Sequence, residues 1–477
     1  MRLDRDSRSS LLLFAQQALS RAAGAPLVAG NCARILRDAT ENYPAWLQAI
    51  RGARSVIHFE NYIIANDPVG REFAEALAER ARAGVRVRVI HDWMGGLGSG
   101  SRRLLASVAA AGAEVRLFNP PRFDAPFGWL SRDHRKMMSV DGEIGFVSGL
   151  CVSAKWAADP ETGREPWRDT GVEIRGPAVA DIDRAFAETW AEIGAPLPPG
   201  EPDGKEGVPA PVGKVSLRVL ASVPNVAAVY RLDQLIASMA KETLWLTDAY
   251  FVGIPPYVQA LRAAAADGVD VRLLVPGASD LPIVASFSRT GYRPLLEAGV
   301  RVFEWNGPML HAKTAVADGK WARIGSSNLN LASWIGNYEL DVAVEDRDFA
   351  EDMERMFEED LANATEILLS DKRRVHTTRP RPRRHPRRDG KPGSRGSAGR
   401  AAAGALRIGN TVGAAITNRR ILGPAEAGMM NVAGAVLLLL SGIAILWPRA
   451  AMFPLAAIGS WLGISFLVKG YRLRSRK

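Results

Sequence analysis

Residues 310–330 read LHAKTAVADGKWARIGSSNLN: a histidine two positions before a lysine, an aspartate five further on, then a Gly-Ser-Ser-Asn run. In an extended segment alternate side chains share a face, so His311 and Lys313 point together while Ala312 and Thr314 point away. A lysine is rarely buried without a partner, so the pair calls for an anion or open water, and a phosphate is one such anion. The frame occurs twice. Residues 133–151, DHRKMMSVDGEIGFVSGLC, place His134, Lys136 and Asp141 at the offsets of His311, Lys313 and Asp318. Only 6 histidines occur in 477 residues, so two in one frame point to shared chemistry rather than a chance exposed face.

The elements that must position these groups repeat as well, and a repeat is best sought first. RARAGVRVRVIHD (80–92) echoes RAAAADGVDVRLLVP (262–276), and LLASVAAAGAEVRLFN (104–119) echoes LLEAGVRVFEWN (295–306). WRDTGVEIRGPAVADIDRAFAETW (167–190) echoes NYELDVAVEDRDFAEDMERMFEEDL (337–361). Strands rich in Val, Ile and Leu alternate with Ala- and Arg-rich helical stretches. One such stretch starts at DPVG (67–70) and is capped by Gly84. The pattern predicts an α/β fold built twice, each copy a mainly parallel sheet with helices on both faces. An N-terminal helical segment (1–26), a first half (27–193), a Pro/Gly-rich linker (194–214) and a second half (215–370) follow from the composition.

His-x-Lys-x4-Asp, twice, with Gly-Ser-x-Asn downstream, resembles the phospholipase D superfamily. HFENYIIANDPVGREF, WRDTGVEIRGPAV, HAKTAVADGKWARIGSSNLN and NYELDVAVED are similar to bacterial cardiolipin synthases within it. The resemblance covers roughly residues 27–370 and implies two α/β halves with pseudo-twofold symmetry, their motifs meeting at one site. It implies His134 as nucleophile and His311 as general acid and base, the order of these roles being less fixed than the pair. Asp169 and Glu339 lie where relatives hold a carboxylate that orients a motif histidine. Asp141 and Asp318 complete the catalytic motifs, and their own reading is structural, tying each motif strand to its surroundings. Glu60 and Tyr62 mirror Asp248 and Tyr250, either lining the mouth of the site or packing.

The side chains suit that chemistry. Phosphatidyl transfer needs a nucleophile, an acid for the leaving alcohol and cations around the phosphoryl oxygens. One histidine attacks phosphorus and later leaves; the other protonates the leaving group and deprotonates the acceptor. Lys136 and Lys313 bind phosphate, and Gly149, Gly325, Ser326 and Asn328 form its small polar surround. No cofactor or metal is required, and a zinc site lacks ligands. In VSGLC, Cys151 stands where the family places Asn: either an expected amide is missing, or Cys151 is a small hydrophobe and the second half compensates.

Two cysteines, Cys32 and Cys151, suggest no disulfide framework. The N-terminus, MRLDRDSRSSLLLFAQQALSRAAG, reads as an amphipathic helix lying on the membrane or on the domain, not as a secretory signal. A basic Arg/Pro-rich linker covers 371–428, and its first part, 371–400, is too basic and too poor in apolar residues to fold alone. Two apolar stretches, 429–447 and 451–468, approach the roughly 20 residues that span a hydrocarbon core, predicting a transmembrane helical hairpin before a basic tail (469–477). Of 61 Lys and Arg and 51 Asp and Glu, residues 372–477 hold 21 and 2, which leaves 40 and 49, a net of −9, for residues 1–371. An acidic catalytic region argues against nucleic acid as substrate. The basic tail reads as binding anionic lipid, with a solvated linker as the alternative. Basic residues flanking the hairpin predict a multi-pass protein of the inner (cytoplasmic) membrane whose catalytic region faces the cytoplasm. The reading is a cardiolipin synthase-type phosphatidyltransferase acting on phosphatidylglycerol. A phospholipase D with water as acceptor and a non-catalytic membrane scaffold are the alternatives.

Overall fold

The computed structural model describes residues 15–369, apart from 122–129, 159–162, 164, 205–206 and 281, together with 375–377 and isolated helical positions between 438 and 464. The described residues of Met1–Phe118 and Arg132–Lys391 form one compact unit, and those of Asn119–Ser131 and Pro392–Lys477 another. The motifs belong to the first.

Seven strands come first: β1 (Val28–Arg37), β2 (Val56–Asn61), β3 (Arg86–Asp92), β4 (Glu114–Phe118), β5 (Lys136–Val140), β6 (Ile144–Ser148) and β7 (Thr170–Arg175). Seven more repeat them: β8 (Val215–Ser222), β9 (Thr243–Thr247), β10 (Asp270–Pro276), β11 (Arg301–Trp305), β12 (Thr314–Ala317), β13 (Trp321–Gly325) and β14 (Glu339–Glu345). Helix α1 (15–23) precedes them. The first half carries α2 (Asp38–Gly52), α3 (Pro68–Arg82), α4 (Ser101–Ala110) and α5 (Val179–Glu192). The second carries α6 (Ala228–Met239), α7 (Pro255–Ala266), α8 (Pro282–Glu297) and α9 (Arg347–Ala362). Two short strands, β15 (Ala364–Leu369) and β16 (Val375–Thr377), close the edge of the second half.

Among the described residues these strands form one sheet, ordered β16-β15-β11-β10-β9-β12-β13-β14-β8-β1-β7-β6-β5-β2-β3-β4. Both halves therefore lay down their seven strands in the same spatial order, and they meet where β1 runs antiparallel to β8. The sheet is mixed, not mainly parallel. Only β2–β3–β4 and β9–β10–β11 are parallel, because helical crossovers join those strands. The motif strands are joined by tight turns at Asp141–Gly142 and Asp318–Gly319, whose four residues have φ between 52° and 68°, and a turn that short leaves only the antiparallel hairpin.

Local rules set the helix ends. Asp67 caps α3 by accepting from the Gly70 amide at 3.0 Å, Pro68 opens the helix, and Gly84, at φ +88°, follows its last turn. A central apolar cluster joins α5 and α9 to strands of both halves, with Phe186, Trp190 and Phe357 among its members. Separate clusters back each half: α2–α4 cover the first, and α6 and α7 the second.

Helix α1 leans on the protein. Leu19 and Ala23 join the second half's core, and Gln16 bridges Glu345 at 2.6 Å and Arg218 at 2.6 Å. β16 lies within the stretch expected to be an unfolded linker, because the open edge of β15 supplies the hydrogen bonds that its own sequence cannot. The hairpin expected over 429–468 falls almost entirely outside the described residues. Among those described, no helix is long and apolar enough to cross a membrane.

Candidate active site

Each motif histidine sits just before its hairpin, on a segment that bridges to the opposite half. Asp133 pairs with Tyr338, and Leu310 pairs with Arg168. The His134 amide donates to the Tyr338 carbonyl at 2.9 Å, and the His311 amide to the Arg168 carbonyl at 2.7 Å. These backbone bonds set each ring beside the residue that follows its partner. His134 Nδ1 lies 2.9 Å from Glu339 Oε2, and His311 Nδ1 lies 2.7 Å from Asp169 Oδ2. The orienting carboxylates thus cross over, each serving the other half's histidine. With Nδ1–H donating to the carboxylate, Nε2 of each ring is left to react.

The lysines occupy the same space. Lys136 and Lys313 are almost wholly buried, and each donates to the carbonyl of its own motif histidine. Lys313 Nζ also stands 2.9 Å and 3.2 Å from the two ring nitrogens of His311. Burial pushes His311 down to about 3, with Lys313 and Lys136 adding to the shift and Asp169 opposing it. Burial likewise lowers His134, with both lysines adding and Glu339 opposing. Lys313 itself is lowered to about 8 by burial. Burial alone would raise Asp169 and Glu339, but the histidines and lysines hold Asp169 at about 2 and Glu339 below the usual carboxylate range. Without a ligand, then, two neutral imidazoles, two buried ammonium groups and two carboxylates face one another. An added phosphate diester would meet both cations and tend to restore a proton to the histidines.

Other expected site residues stand elsewhere. Asp141 accepts from the Arg54, Ser55 and Val56 amides at 2.9, 2.8 and 3.0 Å, and Asp318 accepts from the Lys241, Glu242 and Thr243 amides at 3.0, 2.8 and 3.0 Å. Both lie at the far end of their motif strand, about 16 Å from its lysine at 3.3 Å per residue. In the structure they anchor the turns. The Ser326 hydroxyl donates its one proton to Glu339 Oε2 at 2.5 Å and accepts from the Leu340 amide at 2.9 Å, so in this structure it has no proton to offer a phosphoryl oxygen. Gly149 makes room for a carboxylate rather than a substrate, since a Cβ there would lie 2.1 Å from Asp169 Oδ1. The carboxamide oxygen of Asn328 is buried without a hydrogen-bond partner; as an acceptor it cannot meet a phosphoryl oxygen, for which only the amide N–H groups of this side chain would serve. Cys151 is buried in the first half's apolar cluster, so it packs as a small hydrophobe.

The match of Glu60 with Asp248 is one residue out of register. Glu60 pairs with Met137 and Thr247 with Thr314, the residues after each motif lysine, so Asp248 answers to Asn61. Glu60 is wholly buried beneath the sheet, 3.9 Å from Arg135. Tyr62 and Tyr250 nonetheless both flank the site, their ring centroids 5.0 Å from His134 and 5.8 Å from His311.

Three contributors went unnoticed in the sequence. Arg168 joins the halves through Asp360 at 2.8 Å and holds Asp38 of its own half at 3.1 Å; its one signal was its place beside the orienting Asp169. Arg135, inside the first motif, reaches the Glu339 carbonyl at 3.2 Å and Thr189 at 2.6 Å. Trp156 donates to Asp169 Oδ2 at 2.9 Å, a contact with no motif to announce it.

The chain is similar to known proteins. The family described as "Cardiolipin synthase, PLD-like domain" matches residues 46–190 and 232–361. Cardiolipin synthase A of Pseudomonas aeruginosa (strain LESB58) is 33% identical over 364 residues, 75% of this chain and 73% of that protein. Cardiolipin synthase 1 of Bacillus anthracis is 32% identical over 371 residues, 72% of this chain and 69% of that one. Among solved structures, the phosphatidylserine synthase of Haemophilus influenzae Rd KW20 superposes with a TM-score of 0.58 at 14% identity, over 74% of this chain and 91% of its own. At that identity the likeness concerns the fold.

Proposed function

The chain belongs to the cardiolipin synthase family of phospholipase D-like proteins, and from that premise we propose that it moves a phosphatidyl group from one phosphatidylglycerol to the hydroxyl of another. The observation that carries this reading is the crossed pair of histidine–carboxylate contacts with a lysine beside each ring. His134, the more exposed ring at 13% against 6%, attacks phosphorus through Nε2. The phosphorus–oxygen bond to glycerol breaks, and His311 gives the leaving oxygen its proton. A second phosphatidylglycerol then loses its hydroxyl proton to His311 and attacks phosphorus, breaking the nitrogen–phosphorus bond. Two phosphatidylglycerols yield one cardiolipin and one glycerol. Lys136 and Lys313 hold the phosphoryl oxygens, with the carboxamide N–H of Asn328 as a further donor, and the charge that develops there meets cations already fixed in place.

The reading includes a membrane anchor over 429–468, with the catalytic halves on the cytoplasmic side. Its support is the length and apolarity of the two stretches and the basic residues around them. The basic segment before them adds attraction to anionic lipid.

Purified protein incubated with phosphatidylglycerol vesicles, followed by mass spectrometry of the lipids, tests the proposal. Cardiolipin and glycerol in equal amounts is the predicted result. Phosphatidic acid as the sole product would make the protein a hydrolase, and no turnover of any phospholipid would leave it a scaffold.

A further inference from the structure

The two halves support their orienting carboxylates by different means. β6 pairs Ser148 with Gly171, and β13 pairs Gly325 with Asp341. Counting one residue on from Ser148 and Gly325, and two back from Gly171 and Asp341, makes Gly149 equivalent to Ser326 and Asp169 equivalent to Glu339. In the second half the Ser326 hydroxyl donates at 2.5 Å to Glu339 Oε2, the oxygen that also accepts from His134. In the first half the shorter aspartate lies against Gly149, where even a Cβ would come within 2.1 Å of Oδ1, so no serine hydroxyl fits. The oxygen that accepts from His311, Asp169 Oδ2, still has a second donor, the Trp156 indole N–H at 2.9 Å.

We propose that Trp156 is a positioning residue for the transfer reaction, its indole N–H holding Asp169 onto His311 in the role that Ser326 fills for Glu339. The inference rests on the functional reading above. An indole N–H can only donate, so it keeps Oδ2 as an acceptor and His311 Nδ1–H as a donor, which leaves Nε2 free. The turn that carries Trp156 is pinned. Ser153 Oγ and the Ala154 amide donate to Asp67 at 2.8 and 2.7 Å, and the Tyr43 hydroxyl donates to the Cys151 carbonyl at 2.6 Å with the Ser153 carbonyl 3.1 Å away. The indole also meets the His311 ring edge-on, with centroids 5.2 Å apart and planes at 89°, so it fixes the imidazole plane as well as its proton. Trp156 is 3% exposed, which shields the carboxylate from competing water.

Trp156→Phe keeps the ring packing and deletes the donor. It should lower kcat roughly tenfold to a hundredfold, the cost of losing a hydrogen bond to a buried charge, while KM stays within about threefold and thermal unfolding shows an intact fold. Trp156→His restores a ring N–H and should recover part of the lost kcat. A folded Trp156→Phe whose kcat stays within about twofold of wild type, or a Trp156→His no faster than Trp156→Phe, overturns the inference. The contact can also be read without turnover. The indole 15N–1H cross-peak absent from Trp156→Phe and from Trp156→His should shift when Asp169→Asn removes the charge, and a stationary peak overturns the contact. Wild-type protein that transfers no phosphatidyl group would sink the functional reading, and the cross-peak would still decide the contact.

Discussion

At the scale of single residues, the site is an exercise in holding like charges together. Lys136 and Lys313 are buried beside two imidazoles, and neither ring can take a proton cheaply until an anion arrives. The consequence is a pH dependence set by a lysine. Lys313 is charged below about 8 and neutral above it, well under the 10.5 of an ordinary lysine. Phosphate capture by the free protein should therefore weaken as pH rises through about 8, and kcat/KM should fall there. The bound phosphate stabilises the ammonium, so kcat should hold to higher pH. A kcat/KM that stays flat to about pH 10, where unperturbed lysines titrate, would contradict this account. His311 needs its proton from the same event, since at about 3 it is neutral in the empty site at any working pH.

At the scale of elements, the motif hairpins separate chemistry at one end from anchoring at the other. Asp141 and Asp318 each bind three successive amides that lead into the neighbouring strand, and each adopts a left-handed conformation, at φ 55° and 52°. Asp141→Ala should therefore cost about 2–4 kcal/mol of stability, from lost hydrogen bonds and a strained turn, yet leave kcat per folded molecule near wild type. Denaturant unfolding and turnover on the same samples check this; lost kcat with unchanged stability would move Asp141 back into the chemistry. The motif spacing in the sequence was enough to pair the histidines with the lysines, and the resemblance to the family singled out Asp169 and Glu339. It could not reveal that the carboxylates cross over, because that depends on the bridges of Asp133 to Tyr338 and Leu310 to Arg168, between residues far apart in the chain. Nor could it reveal the mixed sheet. Strand composition records burial, and β2, β5 and β6 are buried throughout whether their neighbours run parallel or antiparallel. The one-residue slip of Glu60 against Asp248 has a similar origin, since an acid and a tyrosine two apart in each half imitated a repeat that the register denies.

At the scale of the whole molecule, a duplicated fold yields a single site because neither half is complete. Each supplies a histidine and a lysine, and each borrows its orienting carboxylate from the other. The catalytic halves carry a net charge of −9 over residues 1–371, which an anionic bilayer repels, so the proposed anchor has a physical task. A protein ending after Thr378 keeps β16 and both motifs. It should leave the membrane fraction, lose most activity on vesicles and retain activity on short-chain lipid in detergent. Continued pelleting with membranes after a high-salt wash would show that the anchor lies elsewhere. The central claim is that the crossed histidines pass a phosphatidyl group through a covalent nitrogen–phosphorus bond. It is tested most directly by quenching turnover in denaturant held near neutral pH, where both the nitrogen–phosphorus bond and the acyl esters survive, and mapping the modified residue by mass spectrometry. The account predicts phosphatidyl on His134 in the wild-type protein and none in His134→Ala; modification of neither histidine, with cardiolipin still forming, would contradict it.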